Sequence, residues 1–442
     1  MHQLAIALSR KGYQVSGSDD EIFEPARSNL EIQGILPLET GWNPGKINSG
    51  LDAVILGMHA KDDNPELLKA RELGLKIYSF PEYIFQESRN KKRVVIGGSH
   101  GKTTTTSMIM HVLKGSGIAF DYMVGARLPG FEYSVSITDA PIIICEGDEY
   151  PASALEKRPK FHFLFPHIAV LTGIAWDHIN VFPTFDFYLE QFSLFIGMIE
   201  DGGLLIYNEK DKVLYELVLK ENGNQIRKMG YGVPAHEVTG GKTRIFLENK
   251  WKELSVFGDH NLMNIQAAWA VCRELGVSVD TFLNEIASFT GASKRLELLA
   301  SGNHTRVYRD FAHAPSKVKA TMEAVKQQFP EHSLIAVLEL HTYSSLNAGF
   351  MKEYAHVMDP ANKAVVFYSA HALELKRLPP LDPDQVKLGF ATPGLEVITS
   401  ARELTEWLKS QSYEKSNLLL MSSGNYDGLD IATFAKEIIA NP

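Results

Sequence analysis

The chain has 442 residues, with 53 acidic against 44 basic side chains and a formal charge of −9. That length exceeds one ordinary core and calls for two or three domains, while the acidic balance argues against nucleic acid as a partner and leaves room only for a local basic pocket that holds a small anion. No apolar run reaches the roughly 18 residues of a membrane-spanning helix, and no signal peptide is visible.

Residues 1–90 read as a small α/β segment. A helix over Met1–Lys11 runs at once into a strand at YQVSGSD (13–19). A second strand, DAVILGM (52–58), a helix at NPELLKARELGL and a strand at KIYSF follow. Apolar strands alternating with amphipathic helices predict a parallel sheet with covered faces. The polar run ESRNKKR (87–93) reads as a linker.

Residues 91–296 open on the strand RVVIGG and a Thr-rich helix. Strands are expected at PIIICEG, HIAVLTGI and GGLLIYN, helices at TFDFYLEQFSLFIGMI and NLMNIQAAWAVCRELG, and an antiparallel excursion over residues 222–258. Cys145 and Cys272 lie inside apolar runs and read as buried free thiols of a reducing, cytoplasmic setting. Residues 297–442 form a third α/β segment, with strands at TRVYRDFA, SLIAVLEL, AVVFYS, LEVIT and NLLLMSSG.

The stretch RVVIGGSHGKTTTTSM (93–108) carries the chemistry. A strand, a glycine turn and a helix N-terminus together present backbone N–H groups and a positive dipole end to an anion. Gly98, Ser99, His100, Gly101, Lys102, Thr103 and Thr104 would form the cradle, with Lys102 reaching the outer phosphates and the Thr103 hydroxyl facing Mg2+. The common phosphate loop has a glycine where Ile96 stands, so this is a variant form. The strand after it ends in CEGDEY, delivering Glu146, Asp148 and Glu149. The next ends in LTGIAWDHINVF, which puts His178 at a strand tip. Further along, Asn261 and Asn264 share a helix face in GDHNLMN, where they can read a nucleoside or simply cap the helix. Arg295 lies in SKRLE, and Asp310 and His313 in DFAHAP.

The order of these blocks closely resembles the Mur ligase family, ATP-dependent amide-forming enzymes of peptidoglycan assembly, over essentially the whole chain. The family's shorter loop is a G-T-x-G-K-T-T form, which GSHGKTT (98–104) matches with Ser99 for Thr. The resemblance implies an α/β, three-domain Mur ligase architecture: a Rossmann-like domain holding a UDP-sugar, a central P-loop ATPase domain and a C-terminal Rossmann-like domain admitting the amine. It assigns Lys102 and Thr103 to phosphates and Mg2+, and Glu146 and His178 to metal. Asn261 and Asn264 go to the adenine side of ATP, and Arg295 and Asp310 to the nucleotide. His313 is a candidate base for the amine. In the first segment Ser18 and Asp19 of GSD, and Asn64 of DNPE, fall where the UDP-sugar is expected. Family members carry a strand and a glycine loop ahead of the helix that MHQLAIALS resembles. Here the first domain lacks that strand, as a mis-assigned start would produce.

Within the family, EGDEYPASALEKRPKF resembles the branch that joins UDP-N-acetylmuramate to the tripeptide L-alanyl-γ-D-glutamyl-meso-diaminopimelate in peptidoglycan recycling. LELHTYSSLN (338–347) departs from it: His341 and Tyr343 resemble the ligases that add L-alanine alone, and both residues are expected at the amine substrate. A reading of another class, a non-catalytic nucleotide or UDP-sugar sensor, is motivated by the short first segment.

Overall fold

The computed structural model describes residues 1–440 except 59, 177–180, 222, 224, 293, 294 and 303. The chain divides into two compact units: Met1–Gly232 with Met263–Ile286, and Val233–Leu262 with Ala287–Pro442.

The first unit is built around a seven-stranded sheet. Its strands are β3 (Lys92–Gly97), β4 (Asp121–Met123), β5 (Val135–Ser136), β6 (Ile142–Glu146), β7 (Ile168–Leu171), β8 (Leu204–Asn208) and β9 (Arg227–Tyr231), preceded in the chain by a separate parallel pair, β1 (Val54–Leu56) and β2 (Ile77–Ser79). The order is β5-β4-β6-β3-β7-β8-β9, and all neighbours run parallel except β4 and β5. β3 is fully buried beyond Lys92, as expected of a strand covered on both faces. The N-terminal helix His2–Arg10 does not form a separate core. Its Leu4, Ala7 and Leu8 pack in one cluster with Ile137, Ile143 and Phe161 beside the sheet.

Two expectations need correction. Residues 13–19 form no strand: they have no ladder partner, and only Val15 packs onto the core. A strand without a neighbour leaves its N–H and C=O groups unpaired, so a local strand-like run alone does not make one. The run 87–93 is not a linker. A helix Phe80–Ser88 turns directly into β3, and Arg93 is 3% exposed, its guanidinium donating to the carbonyls of Leu164, Phe165 and Ser88 and to Glu200.

The second unit holds an antiparallel meander, β10 (His236–Thr239), β11 (Lys242–Leu247) and β12 (Lys250–Leu254), and a six-stranded sheet. The latter comprises β13 (Glu297–Ser301), β14 (Arg306–Asp310), β15 (Ser333–Glu339), β16 (Lys363–Phe367), β17 (Glu396–Ile398) and β18 (Ser416–Met421), in the order β13-β14-β18-β15-β16-β17. All pairs are parallel except β13 with β14. Along β15, Leu334, Ala336 and Leu338 join one apolar cluster, and Ile335 and Val337 the other. This period of two buries both faces and brings the carboxyl ends of β14, β18, β15 and β16 to one edge. β18 lies between the successive strands β14 and β15, and such a switch in order opens a crevice at the carboxyl ends.

Candidate active site

In the first unit β6 and β7 flank β3, so the tips Gly97, Glu146 and Leu171 are neighbours. The turn after β3 leads into the helix Lys102–Gly115. Gly98 and Gly101 have φ of 114° and 86°, the left-handed region that glycine enters at no steric cost. Space makes the same demand: a Cβ on Gly98 would stand 2.4 Å from Thr172 Oγ1, and one on Gly101 2.6 Å from Asn264 Oδ1. The loop is pinned from outside. Ser99 N–H donates to the Gly173 carbonyl at 2.9 Å, Ala175 N–H donates to Ser99 Oγ at 2.8 Å, and Ser99 Oγ bonds Tyr188 Oη at 2.9 Å. The Thr172 hydroxyl binds the carbonyl of His100, and Thr105 donates to Asn264 Oδ1 at 3.2 Å. The result is a pre-shaped turn at a helix N-terminus, suited to an anion.

Lys102 Nζ donates to the Gly98 carbonyl at 2.6 Å and to Glu149 Oε2 at 2.8 Å. Burial acts to lower its pKa, but the Glu149 carboxylate, helped by Asp148 and Glu146, holds it above the ordinary lysine value. The three acids of CEGDEY therefore have separate tasks. Glu149 holds Lys102. Asp148 accepts from Lys160 at 2.6 Å. Glu146 accepts the Thr103 hydroxyl at 2.6 Å on one oxygen and the Gly125 N–H at 2.9 Å on the other. A hydroxyl and a carboxylate converging beside this glycine turn are hard oxygen donors of the kind Mg2+ selects, so this donor set fits the ion. His178 lies outside the described residues.

Asn64, Ser18 and Asp19 also belong to this unit. Asn64 Oδ1 caps the helix Pro65–Glu72, accepting from the N–H groups of Glu66 and Leu67. Glu66 in turn accepts from Ser18 Oγ and Asn43 N–H, both at 2.7 Å, and Lys46 donates to Ser18 Oγ at 3.2 Å. Asp19 Oδ1 accepts the Asp20 N–H, a local turn contact.

In the second unit Asp310 closes β14 and is buried. Its oxygens accept the N–H groups of Leu296 and Ala312 at 2.5 and 2.6 Å. Burial raises its pKa, against the pull of Arg295. The Arg295 guanidinium lies 4.8 Å from the centre of the Phe311 ring, and His313 Nδ1 is 2.8 Å from the Phe311 carbonyl. These three residues gather at one strand tip. Asn261 is buried with its amide donating to the Phe257 carbonyl at 2.9 Å, a bond inside its own helix start. His341 follows β15, its Nδ1 3.7 Å from Glu339 Oε1, and Tyr343 is 60% exposed. Glu149 as the lysine's counter-ion, and Thr172, Tyr188 and Gly125 as loop supports, were not picked out by motif. Only Glu149 had a signal, its place in the acidic strand end.

Comparison with known proteins agrees with these features. Residues 96–272 match the Mur ligase middle domain, and residues 294–424 the glutamate ligase domain of the Mur ligases. The UDP-N-acetylmuramate–L-alanine ligase of Arthrobacter sp. (strain FB24) is 30% identical over 380 residues, covering 83% of this chain and 78% of that one. The UDP-N-acetylmuramate–L-alanyl-γ-D-glutamyl-meso-2,6-diaminoheptandioate ligase of Haemophilus influenzae is 26% identical over 447 residues, covering 97% and 95%. A crystal structure of a murein peptide ligase from Psychrobacter arcticus superimposes with a TM-score of 0.61 at 22% identity, covering 100% of this chain and 97% of that one. The chain belongs to the Mur ligase family. It is an ATP-dependent amide ligase of peptidoglycan synthesis.

Proposed function

We propose that the chain joins the carboxylate of UDP-N-acetylmuramate to the amine of L-alanyl-γ-D-glutamyl-meso-diaminopimelate, with ATP and Mg2+. The observation that carries the reading is the cradle after β3: a glycine turn held open by Thr172 and Asn264, with Lys102 at its mouth and Thr103 paired to Glu146. A free carboxylate is a poor acylating agent, so it first takes the γ-phosphoryl group. That transfer needs charge neutralisation and alignment more than covalent help. Lys102 and the backbone N–H groups of residues 98–104 hold the phosphates. Thr103, Glu146 and His178 would hold Mg2+, which would supply further charge neutralisation. Asn261 and Asn264 serve the nucleoside, and Arg295 and Asp310 serve the nucleotide. The amine then attacks the acyl phosphate, His313 takes its proton, and phosphate leaves. Residues 1–90, 91–296 and 297–442 divide sugar binding, ATP binding and amine binding among them.

The choice of tripeptide rests on EGDEYPASALEKRPKF and on the likeness to the Haemophilus ligase along 97% of this chain. A second reading, ligation of L-alanine alone, is favoured by His341 and Tyr343 and by the 30% identical Arthrobacter relative. The test offers each acceptor separately to the purified chain with ATP, Mg2+ and UDP-N-acetylmuramate, and measures phosphate release. Release with the tripeptide supports the first reading, release with L-alanine alone selects the second, and release with neither removes both.

A further inference from the structure

Beyond the end of β6, the residues PASALEKRPK (151–160) fold into a hairpin. Pro151 bridges Pro159, Ala152 N–H donates to the Arg158 carbonyl at 2.9 Å, and Lys160 N–H donates to the Tyr150 carbonyl at 2.9 Å. The base is fixed: Phe161 N–H donates to the Asp148 carbonyl at 3.1 Å, and the Phe161 ring is fully buried. The far end is fixed as well. Ala154 N–H donates at 2.9 Å to the carbonyl of Met58, two residues past the end of β1. The hairpin thus leaves the carboxyl end of one parallel strand and docks at the carboxyl end of another, the edge where open α/β sheets take their ligands.

Its cations differ in how they are used. Arg158 pairs with Glu156 at 2.8 Å and lies 4.4 Å from the centre of the Phe163 ring. Lys160 has a side chain only 17% exposed, and its Nζ donates at 2.6 Å to Asp148 Oδ2 and to no other atom among the described residues. An ammonium has three N–H donors, so two are left for a ligand. Lys91 shows what a lysine with a structural task looks like. It is 10% exposed, and its Nζ meets the Asp121 carboxylate and the carbonyls of Thr138 and Ala140. Lys160 also faces the first segment. The Met1 nitrogen is within electrostatic reach of both Lys160 and Asp19, and the Met1 side chain lies against Gly57, next to the Met58 that holds the hairpin.

We infer that Lys160 is a substrate-binding residue, its ammonium holding an anionic group of UDP-N-acetylmuramate on the side of Ser18 and Asp19, apart from the phosphate loop. Asp148 takes one N–H and aims the other two. The oxygens of a carboxylate and of a diphosphate both accept from an ammonium, and the sugar nucleotide carries both. The inference rests on the ligase reading and deepens it, giving its sugar nucleotide a cation other than Lys102.

The test is calorimetric titration of the purified chain with UDP-N-acetylmuramate, which needs no turnover. Lys160→Met keeps the stem and removes the charge, and the Kd should rise about tenfold or more, the scale of a lost charge-assisted hydrogen bond. Lys160→Arg should restore it to within a few-fold. Asp148→Asn retains the ammonium and should leave the Kd within about two-fold, since a pair with a 38% exposed carboxylate contributes little. The affinity for ATP should stay unchanged in all three. UDP-N-acetylglucosamine, which lacks the sugar-borne carboxylate, assigns the anion. Weakening by Lys160→Met as large as that of UDP-N-acetylmuramate assigns it to the diphosphate, and no weakening assigns it to the carboxylate. A Kd for UDP-N-acetylmuramate unchanged in Lys160→Met overturns the inference and leaves the ligase reading intact. So does an equal rise in Lys160→Met and Asp148→Asn, which would reduce Lys160 to a brace for the hairpin. Failure of the unmodified chain to bind UDP-N-acetylmuramate removes the ligase reading and this contact together.

Discussion

Lys102 and Glu149 form an ion pair of 2.8 Å at the start of the phosphate-loop helix, with Glu149 only 2% exposed. The cation that a phosphate would meet thus has its own fixed counter-ion on the strand end that also carries Glu146. Glu149 keeps the lysine charged and aimed despite its burial. Removing one partner of such a pair costs more than removing both.

Lys102→Ala should lower turnover by about 100-fold or more, the scale of losing one preorganised charge contact. It should also lower the melting temperature by removing the charged partner that Glu149 pairs with at 2.8 Å. The double variant Lys102→Ala, Glu149→Gln should recover the melting temperature without recovering turnover. Phosphate-release kinetics and thermal denaturation followed by circular dichroism check both halves. Normal turnover in Lys102→Ala would overturn the phosphate-loop assignment.

Glu146 and Asp148 stand two residues apart but face different partners, Thr103 with Gly125 and Lys160 respectively. Glu146→Gln should raise the Mg2+ concentration for half-maximal activity by about tenfold, the low end of what a lost ligand or its support costs a metal site. Asp148→Asn should leave it within two-fold. A magnesium titration of each variant decides, and the reverse ranking would mean that the metal carboxylate is Asp148.

Gly98 is held in a left-handed conformation with no room for a methyl group. Gly98→Ala must move Thr172 or twist the turn. It should cost about 1–3 kcal/mol in urea unfolding, the usual toll of a strained backbone position. Gly117 has φ of 69° but open space around it, so Gly117→Ala should cost about 1 kcal/mol, conformation alone. A larger loss at Gly117 than at Gly98 would show that crowding by Thr172 does not matter.

The sequence was most informative where local pattern and chemistry coincide. β3, its glycine turn and the following helix were legible because five features fall in register within sixteen residues: apolar strand, glycines, lysine, threonine and helical spacing. Glu149 as partner of Lys102 was not, since all three acids of CEGDEY look alike until the strand end is folded. Arg93 looked like part of a linker because polar composition does not reveal that five carbonyls converge on a guanidinium. The strand expected at 13–19 failed for the opposite reason: a short run around Val15 looks like a strand, but pairing is a tertiary fact. The meander and the order of the six-stranded sheet, where β18 returns between β14 and β15, are equally non-local.

Asn64 illustrates how a residue matched by motif can have a structural task as well. Its Oδ1 caps two N–H groups, and the helix start it fixes carries Glu66, on which Ser18 and Asn43 converge. Asn64→Ala should cost about 1 kcal/mol for the lost cap, and it should raise the KM for UDP-N-acetylmuramate by loosening Glu66 and Ser18. Asn64→Asp preserves the cap, so its urea midpoint should stay unchanged. It replaces the amide nitrogen by a negatively charged oxygen, and an anionic UDP-sugar held near that nitrogen should then bind several-fold more weakly. Paired unfolding and KM measurements separate the two tasks. An unchanged KM in Asn64→Asp would reduce this residue to a helix cap and shift the UDP-sugar contact to Ser18, Lys46 and their neighbours.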